Sequence, residues 1–277
     1  MPASHPLTRT TRWGLIIFGL LTVGYIYIYQ QMPLPEGWND SVLNFSIAIA
    51  AFAGAITSSF IWTRFEKGES PRSIWRPFAW GLWLWATAEL CWAASDMFIE
   101  IPDISPIDIP WVAAFAPLGV SLLRQFRLVY SPTPQVERKW LMLTLGGVAG
   151  GAILTTLALH LLAKQADQAW YETLLLVFYP FADLALAIPA ILLARLFGRG
   201  LWGRAWIGLL VMAVSDAIYS VLVFSGIYAS SAEQGNLLSL LADVSYFDAY
   251  LLLALFCVVQ WVLLRYGPPP AASRSLS

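Results

Sequence analysis

Acidic side chains inside long apolar segments are the residues of this sequence whose type and position could do chemistry. Glu89, Asp183 and Asp216 lie near the middle of three such segments, and Asp108 and Asp243 lie near the start of two others. Insertion scales put an acid at the centre of a membrane-spanning helix at about +2.5 to +3.5 kcal/mol. Each central acid therefore needs a proton, a polar partner or a water-filled cavity.

Two interpretations of these acids remain open from the residues alone. No Lys or Arg lies at the depth of the three central acids, so they have no cationic partner inside the membrane. The acids either form a site for a ligand, a proton or a cation, or they belong to a buried hydrogen-bond network that joins helices.

Aromatic residues follow the acids at spacings that recur in the second half of the chain. The matched pairs, each an acid and the aromatic residue three positions later, are Glu89–Trp92 with Asp216–Tyr219, and Asp108–Trp111 with Asp243–Tyr246. The offsets are 127 residues for the first match and 135 for the second. We expect the acids and these four aromatic residues to line one pocket that opens toward the outer side of the membrane.

A proline beside one of the acids adds a second polar cue. Pro180 precedes Asp183 in the stretch YPFAD and lacks a backbone donor, so it frees the carbonyl of Leu176, four residues earlier. The sequence predicts a kink with a free acceptor next to an acid. Proline is also common in membrane helices, and this cue is weak on its own.

Catalytic and cofactor chemistry has no positive support in the residues. The two histidines, His5 and His160, are too few for haem, di-iron or His-rich zinc sites. The HExxH, GxSxG, P-loop and GxGxxG patterns do not occur. We expect no enzyme, no cofactor, no metal site and no nucleic-acid partner.

Eight long apolar segments must position the acids. Hydrophobic residues make up 58% of the chain and charged residues only 12%, about half the charged fraction of a soluble domain. The segments are 13–30, 42–63, 77–98, 109–130, 140–163, 171–196, 205–228 and 237–264. Each is close to the length of about 20 residues that crosses a bilayer. The sequence predicts an all-α polytopic membrane protein with eight transmembrane helices.

Positive charge orients the segments. Fifteen of the sixteen Lys and Arg residues lie in alternate gaps between segments or in the turns that border them, and Lys164 is the exception. Cytoplasmic loops are enriched in Lys and Arg, so both termini are expected in the cytoplasm.

The segments divide into two halves. Four segments return the chain to its starting side, so the halves are predicted to be parallel four-helix repeats. We expect a cytoplasmic leader at 1–12, the first repeat at 13–130, a cytoplasmic linker at 131–139, the second repeat at 140–265 and a disordered tail at 266–277.

Three stretches carry a resemblance to a known group of proteins. They are WGLWLWATAELCWAASDMF (80–98) with IPDISPIDIPWVAAFAPLGVSLL (101–123), YPFADLALAIPAILLARL (179–196), and AVSDAIYSVLVFSGIY (213–228) with the Asp243 helix. The chain resembles the multi-helix N-terminal membrane sensor region of bacterial signalling proteins, such as diguanylate cyclases with GGDEF domains and PAS-containing kinases. In the matching pattern Ala stands before the acid, whereas Ser215 precedes Asp216 here.

The resemblance implies a sensory module with acids at recurrent positions. Only twelve residues follow Arg265, so the output is expected to pass through a cytoplasmic signalling partner. We expect a sensory or ligand-binding membrane module for a small molecule or cation. The alternatives are a proton- or cation-coupled transporter that uses the same carboxylates, and a non-catalytic subunit of a membrane assembly.

Overall fold

The protein is built from eight α-helices in the part of the chain that the structure describes. The computed structural model describes residues 5–35, 37–99, 101, 105–130, 134–162, 170–196 and 207–267, and no β-strand occurs among them. The helices are α1 Pro6–Gln31, α2 Trp38–Trp62, α3 Ser70–Asp96, α4 Asp108–Tyr130, α5 Pro134–Leu162, α6 Trp170–Leu196, α7 Ile207–Phe224 and α8 Leu237–Tyr266.

Six of these helices are long and apolar enough to cross a membrane: α1, α2, α4, α6, α7 and α8. The other two are α3 and α5. Helix α3 is 27 residues long but carries two arginines, two acids and five tryptophans, which lower its mean hydropathy. The all-helical membrane class is thus confirmed, with six clear candidate spans where the sequence predicted eight.

The helix ends differ from the predicted segment ends at several places. Helix α1 begins at Pro6, inside the predicted leader, because the ring of Pro6 suits the first helical turn and His5 accepts a hydrogen bond from the Leu7 amide. Helix α5 begins at Pro134, inside the predicted linker at 131–139. Helix α8 ends at Tyr266, before Gly267 with φ +74°, and the predicted tail beyond that glycine lies outside the described residues.

Six helices form a closed ring. Helix α2 packs on α3, α3 on α4, α4 on α6, α6 on α7, α7 on α8, and α8 returns to α2. Helix α5 packs on α6 at the outside of the ring, and α1 packs on α8 and α2. The largest cluster of buried apolar side chains includes residues of all six ring helices.

The chain begins and ends its helical part at the same end of the bundle. Leu7 of α1 is buried against Val259, Val262 and Leu263 near the end of α8. The cationic ends of other helices lie there too, since Arg64 at the end of α2 and Arg265 at the end of α8 contact the same ring, that of Trp261. This end therefore carries Arg64 and Arg265, two of the positive residues that the sequence predicts to lie on one side.

Two helix crossings are built alike, each from one glycine packed against one leucine. A Cβ on Gly81 of α3 would lie 2.5 Å from Leu118 Cγ of α4, and a Cβ on Gly208 of α7 would lie 2.5 Å from Leu253 Cγ of α8. The glycines are 127 residues apart and the leucines 135, the same offsets as the acid–aromatic pairs. Glycine permits both close approaches because it has no side chain.

Candidate functional site

One buried carboxylate is the centre of the polar cluster inside the ring. Glu89 of α3 is 4% exposed. Its Oε1 accepts hydrogen bonds from Trp111 Nε1 at 3.0 Å, Tyr246 hydroxyl at 2.5 Å and Tyr250 hydroxyl at 2.8 Å. All three donors are neutral, and they come from α4 and α8. Glu89 therefore joins one helix of the second half to two of the first.

Aromatic rings surround the Glu89 carboxylate. Trp92, one turn after Glu89, packs against the Trp111 ring with centroids 5.7 Å apart. Trp85, one turn before Glu89, packs edge-on against Tyr250 at 6.2 Å and donates from Nε1 to the Trp111 carbonyl at 3.3 Å. The tyrosine hydroxyls are also 3.3 Å from each other. The Glu89 cluster is defined here as Glu89, Trp111, Tyr246 and Tyr250.

A second acidic centre lies between α6 and α7. The side chains of Asp183 and Asp216 are in hydrogen-bond contact with each other. Two carboxyl groups can share a hydrogen bond only when at least one carries a proton, because an ionised carboxylate has no donor. Asp183 is 1% exposed, and its Oδ2 is buried without a hydrogen-bond partner in the described residues. The two carboxyl groups therefore lie close together between α6 and α7, and one oxygen of the pair has no partner among the described residues.

The carbonyl that Pro180 frees has a partner on the neighbouring helix. Ser220 Oγ of α7 donates to the Leu176 oxygen of α6 at 3.2 Å. The carbonyl that the sequence predicted to be free thus accepts a hydrogen bond from the neighbouring helix, and this satisfies it without a ligand. It fixes α6 and α7 one turn from the Asp183–Asp216 pair.

Asp108 holds the N-terminal end of α4. Its Oδ2 accepts from the Ser105 amide at 2.9 Å, while Ser105 Oγ accepts from the Ile107 amide at 3.2 Å, an arrangement that caps the helix start. Its Oδ1 accepts from the Tyr179 hydroxyl of α6 at 2.9 Å. Asp108 is therefore engaged by its own helix end and by α6, away from Glu89.

Asp243 faces the loop between α7 and α8. Its Oδ1 accepts from the Tyr228 hydroxyl at 3.0 Å, and the Tyr228 ring packs edge-on against Tyr219 with centroids 4.7 Å apart. Burial, and after it the nearby Asp243 carboxylate, raises the pKa of the Tyr228 hydroxyl, so this loop residue stays a donor. The same loop is fastened to α2, because Asp40 accepts from Ser231 Oγ at 3.0 Å and from the Ala232 amide at 2.8 Å.

The predicted site residues therefore fall into separate groups. Glu89, Trp92, Trp111 and Tyr246 lie together, Asp183 contacts Asp216, and Asp108 and Asp243 each have a tyrosine partner of their own. Asp216 lies within electrostatic range of Glu89 without a hydrogen bond to it among the described contacts. The described contacts join these residues in four polar groups, and the single pocket expected from the sequence stays a prediction.

Two surface grooves in the described part of the chain have no acid in their lining. One, of about 420 Å³, lies between α6 and α7 and is lined by apolar side chains such as Leu184, Val214 and Val221. The other is formed by Trp80, Trp83, Leu84 and Thr87 of α3. Neither lining includes a residue of the Glu89 cluster.

Sequence reasoning missed several polar residues of the interior. Tyr250 is a direct partner of Glu89, and Tyr179 and Tyr228 are the partners of Asp108 and Asp243. Gln125 of α4 and Gln260 of α8 are also buried, each with one side-chain atom that has no partner in the described residues. The two glutamines are 135 residues apart, so the repeat offset was a signal that could have found them.

The donor set suits a proton or a hydrogen-bonding ligand better than a metal ion. Among the described residues no group of three or more His, Cys, Asp or Glu side chains could hold a metal. The partners of Glu89 are donors, which would have to turn away before its oxygens could contact a cation. What the arrangement can do is bind and release protons, or exchange its tyrosine and tryptophan donors for those of a ligand.

Comparison with known proteins finds no relative of this chain. No protein-family model, no curated protein and no solved structure matches the chain.

Proposed function

We propose that the protein is a sensory or ligand-binding module of a bacterial inner membrane, and that the Glu89 cluster is its switch. The single observation that carries this proposal is that one buried carboxylate of α3 holds donors from α4 and α8. Protonation of Glu89 removes the charge that attracts these donors, and a ligand that binds the donors breaks their hydrogen bonds to Glu89. The relative position of α4 and α8 then changes, and a partner protein that binds the module responds to that change.

The proposal places all eight helices across the membrane as two parallel four-helix repeats. The equal offsets of Gly81 with Gly208 and of Leu118 with Leu253 support the repeat. The helix contacts support the repeat too. In such a repeat α2 corresponds to α6 and α4 corresponds to α8, and the contact of α2 with α8 has its counterpart in the contact of α6 with α4. Helix α3, with its tryptophans and acids, crosses as a member of the ring rather than as a lipid-facing helix.

The proposed orientation puts both termini in the cytoplasm. Its support is the excess of arginine at the bundle end where α1 begins and α8 ends. The opposite end carries Asp40, Asp96, Asp108 and Asp243 without a Lys or Arg partner among their described contacts. A cytoplasmic partner protein would then meet the cationic end, in line with the resemblance to sensor regions of signalling proteins.

A distance measurement between the two halves tests the switch. Spin labels at Leu128 of α4 and Tyr266 of α8, both exposed, would be introduced as cysteines in a chain with Cys91→Ser. We expect the label-to-label distance distribution to change between about pH 5 and about pH 8, a range that spans the usual titration of perturbed carboxylates. Glu89→Gln should abolish the change, because glutamine cannot gain or lose a proton there.

The control for this measurement is Glu233→Gln, an exposed acid in the loop between α7 and α8. It removes one carboxylate without touching the Glu89 cluster and should leave the pH response as in the wild type. An unchanged distance in the wild type, or an equal response in Glu89→Gln, would contradict the proposal.

A proton-coupled transporter is the second candidate, and the Asp183–Asp216 pair favours it. Two buried carboxyl groups in contact, with one oxygen left without a partner, are the kind of element that a proton relay needs. Proton flux into proteoliposomes should be absent if the module is a sensor. Flux that disappears in Asp216→Asn and persists in Glu233→Gln would make the protein a transporter.

A further inference from the structure

Two arginines on different helices converge on one tryptophan at the cationic end of the bundle. The guanidinium carbon of Arg64, at the end of α2, lies 5.6 Å from the centre of the Trp261 ring. The guanidinium carbon of Arg265, in the last turn of α8, lies 5.3 Å from the same centre. Both side chains are exposed, and the two charges therefore lie within about 11 Å of each other.

The neighbouring arginines have a backbone acceptor or a ring of their own. Arg72 donates to the Phe65 carbonyl at 2.6 Å and lies 4.7 Å from the centre of the Trp62 ring, and Arg124 donates to the Ser73 carbonyl at 2.8 Å. Arg64 and Arg265 instead share one ring, and no carboxylate of the described residues pairs with them. The nearby Glu69 carboxylate is engaged by the Glu66 amide at 2.7 Å.

Two guanidinium charges beside one ring concentrate positive charge at one place, and this attracts an anion. The arginines are at the ends of membrane-spanning helices, beside Trp261 and Tyr266, and such aromatic residues mark the headgroup level of a bilayer. The anion that is abundant at this level is the phosphate of an anionic phospholipid. Guanidinium groups bind phosphate oxygens through paired N–H donors, which lysine cannot match.

We propose that Arg64, Arg265 and Trp261 form a binding site for the phosphate headgroup of an anionic phospholipid. The two guanidinium groups bind the phosphate, and the Trp261 indole holds each of them by a contact with its ring. The site bridges α2 of the first half and α8 of the second. It is independent of the proposed switch, because none of its residues belongs to the Glu89 cluster.

Native mass spectrometry of the purified full chain with defined phospholipids tests this site. The probes are phosphatidylglycerol and phosphatidylcholine, with inorganic phosphate as a competitor. We expect the wild type to retain phosphatidylglycerol in preference to phosphatidylcholine. Arg64→Gln and Arg265→Gln should each lower this retention about fivefold, the effect of about 1 kcal/mol for one basic residue at a membrane surface.

The matched control is Arg12→Gln, which removes an exposed arginine from α1 at the same end of the bundle. It should leave the retention as in the wild type, because Arg12 is not part of the proposed site. Binding that depended only on the total positive charge would fall equally in this variant. The pair Arg64→Lys with Arg265→Lys keeps the charge, and it should still lose part of the retention because the forked donors are gone.

Three results would overturn the site. They are an equal loss of phosphatidylglycerol in Arg12→Gln, full retention in the Arg64→Gln and Arg265→Gln double variant, and displacement of the lipid by inorganic phosphate at equal concentration. Thermal unfolding of each variant shows that it is folded, and the lysine pair supplies the comparison if the glutamine pair does not fold.

Discussion

Neutral donors make Glu89 the residue on which three helices depend. Its carboxylate is buried with an indole and two phenols as its partners, rather than with Lys or Arg. A hydrogen bond to a charged acceptor contributes about 1.5 to 3 kcal/mol, and a buried donor left without its acceptor costs about 1 to 3 kcal/mol. Removing the Glu89 side chain therefore affects α3, α4 and α8 together.

Glu89→Ala should be strongly destabilising. The substitution leaves Trp111, Tyr246 and Tyr250 without their acceptor, and we expect a loss of about 3 kcal/mol or more in the free energy of unfolding. Thermal or denaturant unfolding in detergent measures it. Leu90→Ala is the control, because this neighbour is 41% exposed and takes no part in the cluster. Equal effects of the two substitutions would show that the cluster contributes nothing specific to the fold.

The Asp183–Asp216 contact should appear as an energetic coupling. In a double-mutant cycle with Asn at both positions, residues that share a hydrogen bond give interaction energies of about 0.5 to 3 kcal/mol. The control cycle pairs Asp183 with Asp248, whose partner is Thr22 on α1 at 2.6 Å. We expect coupling in the first cycle and additivity within about 0.5 kcal/mol in the second. Additivity in both cycles would show that the two carboxyl groups do not interact.

At the scale of the helices, glycine decides how closely α3 meets α4 and α7 meets α8. A Cβ on Gly208 would also approach the Ala249 carbonyl oxygen to 3.0 Å, and one on Gly81 would approach the Ala114 oxygen to 3.3 Å. Backbone oxygens cannot turn aside as side-chain ends can. Both crossings therefore depend on the missing side chain.

Gly208→Ala and Gly81→Ala should both destabilise the protein, by about 1 to 3 kcal/mol each, as overpacked contacts do. Gly208→Ala should have the larger effect because its carbonyl contact is closer. Unfolding in detergent measures the difference, with Gly24→Ala in α1 as the control, since nothing lies within 4 Å of its added Cβ. A stabilised Gly208→Ala protein would contradict the close crossing of α7 and α8.

The sequence predicted the elements well and the contacts only partly. Hydropathy located all eight helices, and charge sorting predicted that their cationic ends lie together, as Arg64 and Arg265 do. Equal spacing pointed to Trp111 and Tyr246, which both bind Glu89. It could not show that Asp183 contacts Asp216, because that contact depends on the packing of α6 on α7, for which a single sequence has no signal.

The helix starts were predicted least well, for a physical reason. Apolar segments mark the part of a helix inside the membrane, whereas the helix continues through polar residues into the interface. Helix α1 thus begins at Pro6 and α5 at Pro134, before their apolar segments begin at 13 and 140. Proline at the first helical position gives the start signal that hydropathy does not carry.

At the scale of the whole molecule, the ring of six helices separates two kinds of chemistry. Acids and tyrosines are concentrated in its interior and at one end, and arginines in contact with tryptophan rings lie at the other. Glu89 bridges the two halves in the interior, and Trp261 brings α2 and α8 together at the cationic end. The account therefore depends on whether the interior acids exchange protons with water or remain isolated from it.

Infrared difference spectroscopy of the protein in lipid nanodiscs tests that point most directly. Between about pH 5 and about pH 8, the wild type should gain a protonated-carboxyl band on acidification, and Glu89→Gln should lack that band. Glu233→Gln should keep it, which separates the interior carboxylate from exposed acids. If the wild type and Glu89→Gln give the same spectra across the range, Glu89 is structural and the proposed switch is wrong.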